Sequence, residues 1–163
     1  MRAIKDTYDS ATLFNPDCGN AHKDNLAIAR LKRLARQKQY GRCKDYSDDD
    51  ANSLTVCVVD YLNFMQHHAE RVAVTGIPTI RNGKIEWRRS HMNRGTSDVH
   101  SIIASRACML EIKHGADEMS SEQKEYQKKV EAAGGVYIVV RTFEDFLNWY
   151  DNFIASIKEA DNE

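Results

Sequence analysis

The 163-residue sequence has no apolar run approaching the roughly 18 residues that a membrane-spanning helix requires. Its opening, MRAIKDTYDS, lacks the apolar core of a secretory signal. The expectation is therefore a protein that neither spans a membrane nor is exported by an ordinary signal. No CxxC pair occurs among Cys18, Cys43, Cys57 and Cys108, which removes the spacing of a zinc site or a disulfide scaffold. Reduced cytosolic thiols are expected, with a disulfide between two of them as the alternative. No charge sign dominates: 23 Lys+Arg stand against 24 Asp+Glu, a formal charge of -1. That excludes a histone-like cationic protein but not nucleic-acid binding, which depends on local patches. No internal repeat is present. What remains is an ordinary globular composition, 42% hydrophobic and 29% charged. A chain of this length makes about one domain and buries roughly two thirds of its unfolded surface without needing a staple.

Residues 1–20 show little periodicity, with a turn at Asn15-Pro16-Asp17 and Gly19. Over residues 21–39, Leu26, Ala29, Leu31, Leu34 and Ala35 form an apolar stripe. Lys23, Arg30, Lys32, Arg33, Arg36 and Lys38 make the opposite face basic, and Gly41 stops the helix. The acidic segment 44–52, KDYSDDDAN, reads as a linker ending in capping side chains. Residues 1–50 thus read as an N-terminal helical extension with a linker, and 51–163 as the core. In the core, residues 53–68 repeat Leu54, Val58, Tyr61, Leu62 and Met65 at helical spacing. Residues 70–75 look like a strand, and Asn82-Gly83 signals a hairpin turn returning along 84–89. Residues 97–103 and 107–112 read as adjacent strands. Ser120 and Gln123 open a helix that ends before Gly134-Gly135. The run VYIVV, 136–140, predicts an interior, parallel strand. Thr142 and Asp145 cap a last helix with Phe143, Phe146, Leu147, Tyr150, Phe153, Ile154 and Ile157 on one face. This order predicts a small α/β sandwich around a mixed sheet.

Chemistry concentrates in Gly95-Thr96-Ser97-Asp98, followed after twelve residues by Glu111-Ile112-Lys113. Alternation puts Glu111 and Lys113 on one face of their strand and Ile112 on the other. Asp98, at the start of the neighbouring strand, reaches the same edge if the hairpin is in register. Two carboxylates so placed, with the Ile112 carbonyl, can hold Mg²⁺, which prefers hard oxygens and retains several waters. Lys113 can orient or help deprotonate one of those waters and offset charge in a phosphoryl transition state. The set fits hydrolysis of a phosphodiester. The plainer alternative makes Asp98 a strand-start residue and Glu111–Lys113 an edge ion pair of little worth. Against it stand Val99, Ile102, Ile103, Ala107, Met109, Leu110 and Ile112, an apolar context in which charges are expensive.

Gly95-Thr96-Ser97-Asp98, Glu111-Ile112-Lys113, Ser121-Glu122-Gln123, the Gly134-Gly135 turn and VYIVV with its acidic-aromatic helix together resemble the VRR-NUC branch of the PD-(D/E)xK nuclease superfamily, which has bacteriophage members. The resemblance covers roughly residues 53–150. It implies an α/β fold with a restriction-endonuclease-like α-β-β-β-α-β core, a small mixed sheet flanked by helices. It further implies Mg²⁺, with Mn²⁺ as a substitute, on Asp98, Glu111 and the Ile112 carbonyl. Lys113 is then the catalytic lysine and Gln123 the supporting glutamine, although Gln123 fits a purely capping role equally well. Members often carry a glutamate on the first core helix. Here Asp60 and Asp50 are the candidates for that additional ligand, with Asn52 and Glu70 behind them, and Ser97 replaces the family's usual proline. The implied activity is a metal-dependent DNA endonuclease, structure-selective on branched DNA such as Holliday junctions. It would act as a homodimer without an organic cofactor, in the cytoplasm of a bacterial or phage-infected cell.

Arg81, Lys84, Arg88, Arg89 and Arg94 are opposed only by Glu86 and interleaved with Trp87 and His91. They read as a phosphate-gripping hairpin, or as a solvated basic edge that deters aggregation. Arg30 and Arg33 lie in a second basic patch, a nucleic-acid-binding candidate that could clamp one arm of a duplex, while residues 117–125 and 151–163 are acidic. His91 and His114 flank the motifs and read as solvated loop histidines, with contact to phosphate or metal as the alternative; the stripe with Trp149 and Tyr150 reads as core or a dimer face. The alternatives are a site-specific or nicking DNA endonuclease, a catalytically weak DNA-binding protein on the nuclease scaffold, and an interaction protein relying on its last helix and acidic tail.

Overall fold

The computed structural model describes residues 26–38, 44–72, 77–88 and 94–160. The element order is α1 (Leu26–Lys38), α2 (Ala51–Phe64), β1 (His68–Arg71), β2 (Ile77–Arg81), β3 (Lys84–Arg88), β4 (Val99–Ile103), β5 (Arg106–Ile112), α3 (Ser121–Ala132), β6 (Val136–Val140) and α4 (Phe143–Ala160). One mixed sheet has the order β1-β4-β5-β6, and β2-β3 form a separate ribbon. β1, β4 and β5 run antiparallel in sequence, whereas β6 lies parallel to β5.

Each boundary has a local cause. Asp50 caps α2 by accepting from the backbone N–H groups of Asn52 and Ser53, so the helix starts at Ala51 rather than at residue 53. The same helix ends at Phe64, short of residue 68, with Gln66 at a φ of 65°. Asn63 then acts as a surrogate strand: its side chain donates to the Ala69 carbonyl and accepts from the Ala69 N–H. β1 consequently begins at His68, two residues before the segment 70–75 expected from sequence. The turn between β4 and β5 uses positive φ at Ala104 (46°) and Ser105 (64°), the pattern of a two-residue hairpin with right-handed strand twist. Asn82 (52°) and Gly83 (72°) do the same between β2 and β3. The partner of the returning strand is Ile77–Arg81.

One face of the sheet supplies the core. Val99 and Ile103 of β4, and Cys108, Leu110 and Ile112 of β5, are buried in a cluster with Leu54, Cys57, Val58, Tyr61 and Leu62 of α2. Phe143, Phe146, Leu147 and Tyr150 of α4 join it, with Tyr61 set edge-on to all three of the aromatic rings. The segment read as an extension contributes α1, whose Ala27, Ile28, Leu31 and Ala35 belong to the same cluster. Asp48 of the acidic segment accepts from the Phe143 N–H and so ties that segment to α4. Cys57 and Cys108 are buried free thiols, pushed up by burial to about 12 and about 11. Cys18 and Cys43 lie outside the described residues.

β6 corrects the expectation drawn from VYIVV. It is parallel, as read, but among the described strands it stands at the sheet's edge. Its apolar character comes from helix cover, since α3 and α4 both pack against it. A strand covered on its faces needs no second neighbour to be apolar.

Candidate active site

The opposite face of the sheet, under α3, holds the charged residues. Period two sends Glu111 and Lys113 away from Leu110 and Ile112, and the register puts Glu111 beside Val139 of the parallel β6. Glu111 is 1% exposed and Lys113 5% exposed. Burial this complete demands partners. The Lys113 Nζ lies 3.3 Å from Glu111 Oε1 and 3.1 Å from Asp117 Oδ2. The Gln123 side-chain amide donates to Glu111 Oε1, and the Tyr137 hydroxyl donates to Oε2 at 3.3 Å.

Asp98 enters from the loop ahead of β4. Its Oδ2 accepts from the Ile112 N–H at 2.9 Å, and its carbonyl accepts from the Val72 N–H at 2.8 Å. The two carboxylates are close enough for the Asp98 charge to act on Glu111. Desolvation first, then that like charge, pushes Glu111 up to about 7, against the restraining hydrogen bonds of Lys113 and Tyr137. Lys113 feels the reverse balance. Burial pulls its ammonium down, but Asp117 and Glu111 outweigh it and hold the group above the ordinary lysine range.

The loop that delivers Asp98 is locked onto α3. Gly95 has a φ of 77°, and a Cβ there would overlap the Glu122 carbonyl in the first turn of α3. Only glycine satisfies both conditions. Gln123 in that turn does two jobs at once. Its Oε1 accepts from the Ser120 N–H at 2.8 Å to complete a capping box, while its amide nitrogen reaches Glu111. The capping and supporting roles, alternatives in the sequence, are the two ends of one amide.

The other residues singled out by sequence fall elsewhere. Asp60 gives its carboxylate to Lys44 at 2.7 Å and Tyr46 at 2.9 Å. Asp50 is engaged in capping α2, and Ser53 foremost holds its carboxyl below the usual range; His114 is near enough to contribute. Asn52 accepts from the Arg71 guanidinium at 2.6 Å, and Glu70 sits directly across from His100 in the β1–β4 register. Arg81 and Lys84 are exposed at the ribbon tip, and Arg88 ends β3. Arg94 is exposed just before Gly95; Arg89 and His91 lie outside the described residues. Arg33 is on the exposed face of α1, whereas Arg30 makes two hydrogen bonds to Asp151 and lies over the Tyr61 ring.

Sequence reasoning did not single out Tyr137, Asp117 or the contact of Gly95 with α3. Alternation along β6, with Tyr137 paired to Met109, was the available signal that its hydroxyl shares the face of Glu111. Among the described residues, no three His, Cys, Asp or Glu side chains gather as a metal-binding group. The arrangement is a pair of carboxylates with a buried lysine. No model of a known protein family matches the chain, and no curated protein matches it.

Proposed function

We propose that this chain is a divalent-metal-dependent endonuclease of the PD-(D/E)xK type, related to the VRR-NUC branch, that hydrolyses DNA phosphodiester bonds. The observation that carries the proposal is the burial of Glu111 beside Asp98, with Lys113 in contact. A carboxylate raised to about 7 by burial and a like charge is a group short of positive charge. A divalent cation supplies that charge, and the donors present are hard oxygens suited to Mg²⁺ or Mn²⁺. Asp98, Glu111 and the Ile112 carbonyl would hold the ion. When bound, it supplies Lewis-acid polarisation of the phosphate and a more acidic water.

The side chains have separable tasks. Lys113, held protonated by Glu111 and Asp117, offers a fixed positive charge to the phosphoryl oxygens as they gain negative charge. Gln123 and Tyr137 pin the two oxygens of Glu111, so the carboxylate does not have to be ordered when substrate arrives. Asp98 is pinned by the Ile112 N–H, leaving its remaining lone pairs available. The order α2-β1-β4-β5-α3-β6 around the mixed sheet supports an assignment to the restriction-endonuclease-like core. Branched DNA is the proposed substrate, cut by a homodimer because one site severs one strand.

A cleavage panel with Mg²⁺ on linear duplex, single strand, nicked duplex, flap and four-way junction, with Asp98→Ala as control, tests the proposal. Symmetric cuts confined to the junction and lost in the variant are expected. Cuts on every substrate would remove the branched preference and keep the nuclease. A second reading, a DNA-binding protein with weak or no turnover, draws on the missing third carboxylate among the described residues. It predicts binding without Mg²⁺-dependent cutting.

A further inference from the structure

The β2–β3 ribbon carries an exposed apolar pair that the phosphodiester site does not use. Ile80 and Ile85 are directly paired, hence on one face, and are 81% and 67% exposed. The next pair of the same parity is Pro78 and Trp87. Arg81 and Lys84 form the last pair before the Asn82-Gly83 turn, and both are exposed. Like charges placed directly opposite each other on a ribbon cost stability, so this tip is built at some expense to the free protein.

We infer that the ribbon tip is an apolar wedge for nucleic acid, in which Ile80 and Ile85 on one face enter between unstacked bases while Arg81 and Lys84 on the opposite face hold backbone phosphates. This rests on the nuclease reading above and adds how interrupted DNA is gripped. Charge names the occupant. Residues 81–94 carry Arg81, Lys84, Arg88, Arg89 and Arg94 against Glu86 alone, a surplus that a polyanion relieves. A second copy of the chain docked on the isoleucine face would leave that surplus of cations on the opposite face unneutralised. Connectivity points the same way. The ribbon lies in the chain between Val72 and Asp98, and the Val72 N–H donates to the Asp98 carbonyl, so the described segments that precede and follow the ribbon meet at the edge of the carboxylate site.

Aliphatic side chains on one face of a ribbon whose other face is cationic are suited to prising base steps apart. Unstacking an intact duplex is costly, and it costs least where bases are already unpaired. A wedge of this kind therefore favours junctions, flaps and nicks over continuous duplex without reading any base. That supplies a physical source for structure selectivity.

The experiment uses the full-length protein carrying Asp98→Asn, so that DNA is bound but not cut. The probes are a four-way junction with 2-aminopurine at the branch point and a linear duplex with 2-aminopurine at the same sequence. Binding is expected to raise fluorescence at the branch and to leave the linear duplex dark. Adding Ile80→Thr and Ile85→Thr, which keep β-branched residues in the strands, is expected to abolish the rise and weaken junction binding about tenfold. Circular dichroism checks that the fold is intact. An unchanged rise in the double Thr variant overturns the wedge. So does a smaller oligomer in sedimentation, which gives the face to a second copy, or loss of binding to phosphatidylserine vesicles alone, which gives it to a membrane. If the native chain cuts DNA with Mg²⁺ while its Asp98→Asn form binds the junction without brightening the probe, the wedge alone is overturned. If the native chain does not cut and neither form binds DNA, the nuclease reading is overturned as well.

Discussion

Replacing Glu111 by Gln should stabilise the metal-free fold above neutral pH while removing activity. Glu111 is held at about 7 instead of the ordinary 4.5, so the folded state keeps its proton to higher pH than the unfolded chain. The associated stability is complete below about 4.5 and is lost as pH rises through about 7. At about 1.4 kcal/mol per pH unit, that displacement is worth on the order of 3 kcal/mol. Glutamine carries no charge and avoids the loss. Its carbonyl can accept from Gln123 and Lys113, and the Tyr137 hydroxyl can turn to accept from its amide. Denaturant unfolding of both proteins at pH 5 and pH 8 (assay choices of about those values), without metal, measures the effect. His67 and His100, both pushed down by burial, contribute equally in both proteins and cancel in the difference. The advantage of Glu111→Gln should grow by about 2.5 kcal/mol between the two conditions, since a little of the loss has already occurred at the lower pH. Mg²⁺ at the higher pH should then stabilise the native protein more than the variant. A difference that stays flat with pH would refute the electrostatic account of the site.

Three further outcomes follow from the same geometry. Gly95→Ala should cost more than about 2 kcal/mol and lower activity beyond that loss, because the new Cβ drives the Asp98 loop off the first turn of α3; thermal unfolding and residual cleavage measure the two effects. Tyr137→Phe removes a hydrogen bond that favours ionised Glu111, so the acid limb of the pH–rate profile should move up by as much as about one pH unit, with rate recovered at higher pH. A profile of unchanged shape would show that the hydroxyl does not act on the carboxylate. Arg30→Ala should destabilise by about 1 kcal/mol through the lost contacts with Asp151 and the Tyr61 ring, and leave the salt dependence of DNA binding unchanged.

Local chemistry was legible in the sequence wherever a rule acts over a few residues. The capping box of Ser120 and Gln123, the Asn82-Gly83 turn and the shared face of Glu111 and Lys113 are all read from spacing of that kind. Features made by contacts between distant segments were not. One local feature escaped too, because the early end of α2 rests on Asn63 imitating a strand partner for Ala69, a side-chain role that periodicity does not encode. The edge position of β6 depends on which helices cover it, and a β-branched run looks the same in either place. Gly95 marks a positive φ in any loop, but its fit against Glu122 exists only once α3 has docked. The dual use of the Gln123 amide was hidden for the same reason: one end is local and the other reaches a different strand.

The central claim is that Asp98 and Glu111 work together in metal-dependent phosphodiester hydrolysis. Single-turnover cleavage of a four-way junction, with and without Mg²⁺, by the native chain and by Asp98→Asn tests it most directly. Asparagine keeps an acceptor for the Ile112 N–H and removes only the charge. The account predicts Mg²⁺-dependent cutting by the native protein and a loss of at least about a thousandfold in the variant, with its fold and DNA binding retained. Cleavage that persists in Asp98→Asn, or that proceeds equally without metal, would contradict it.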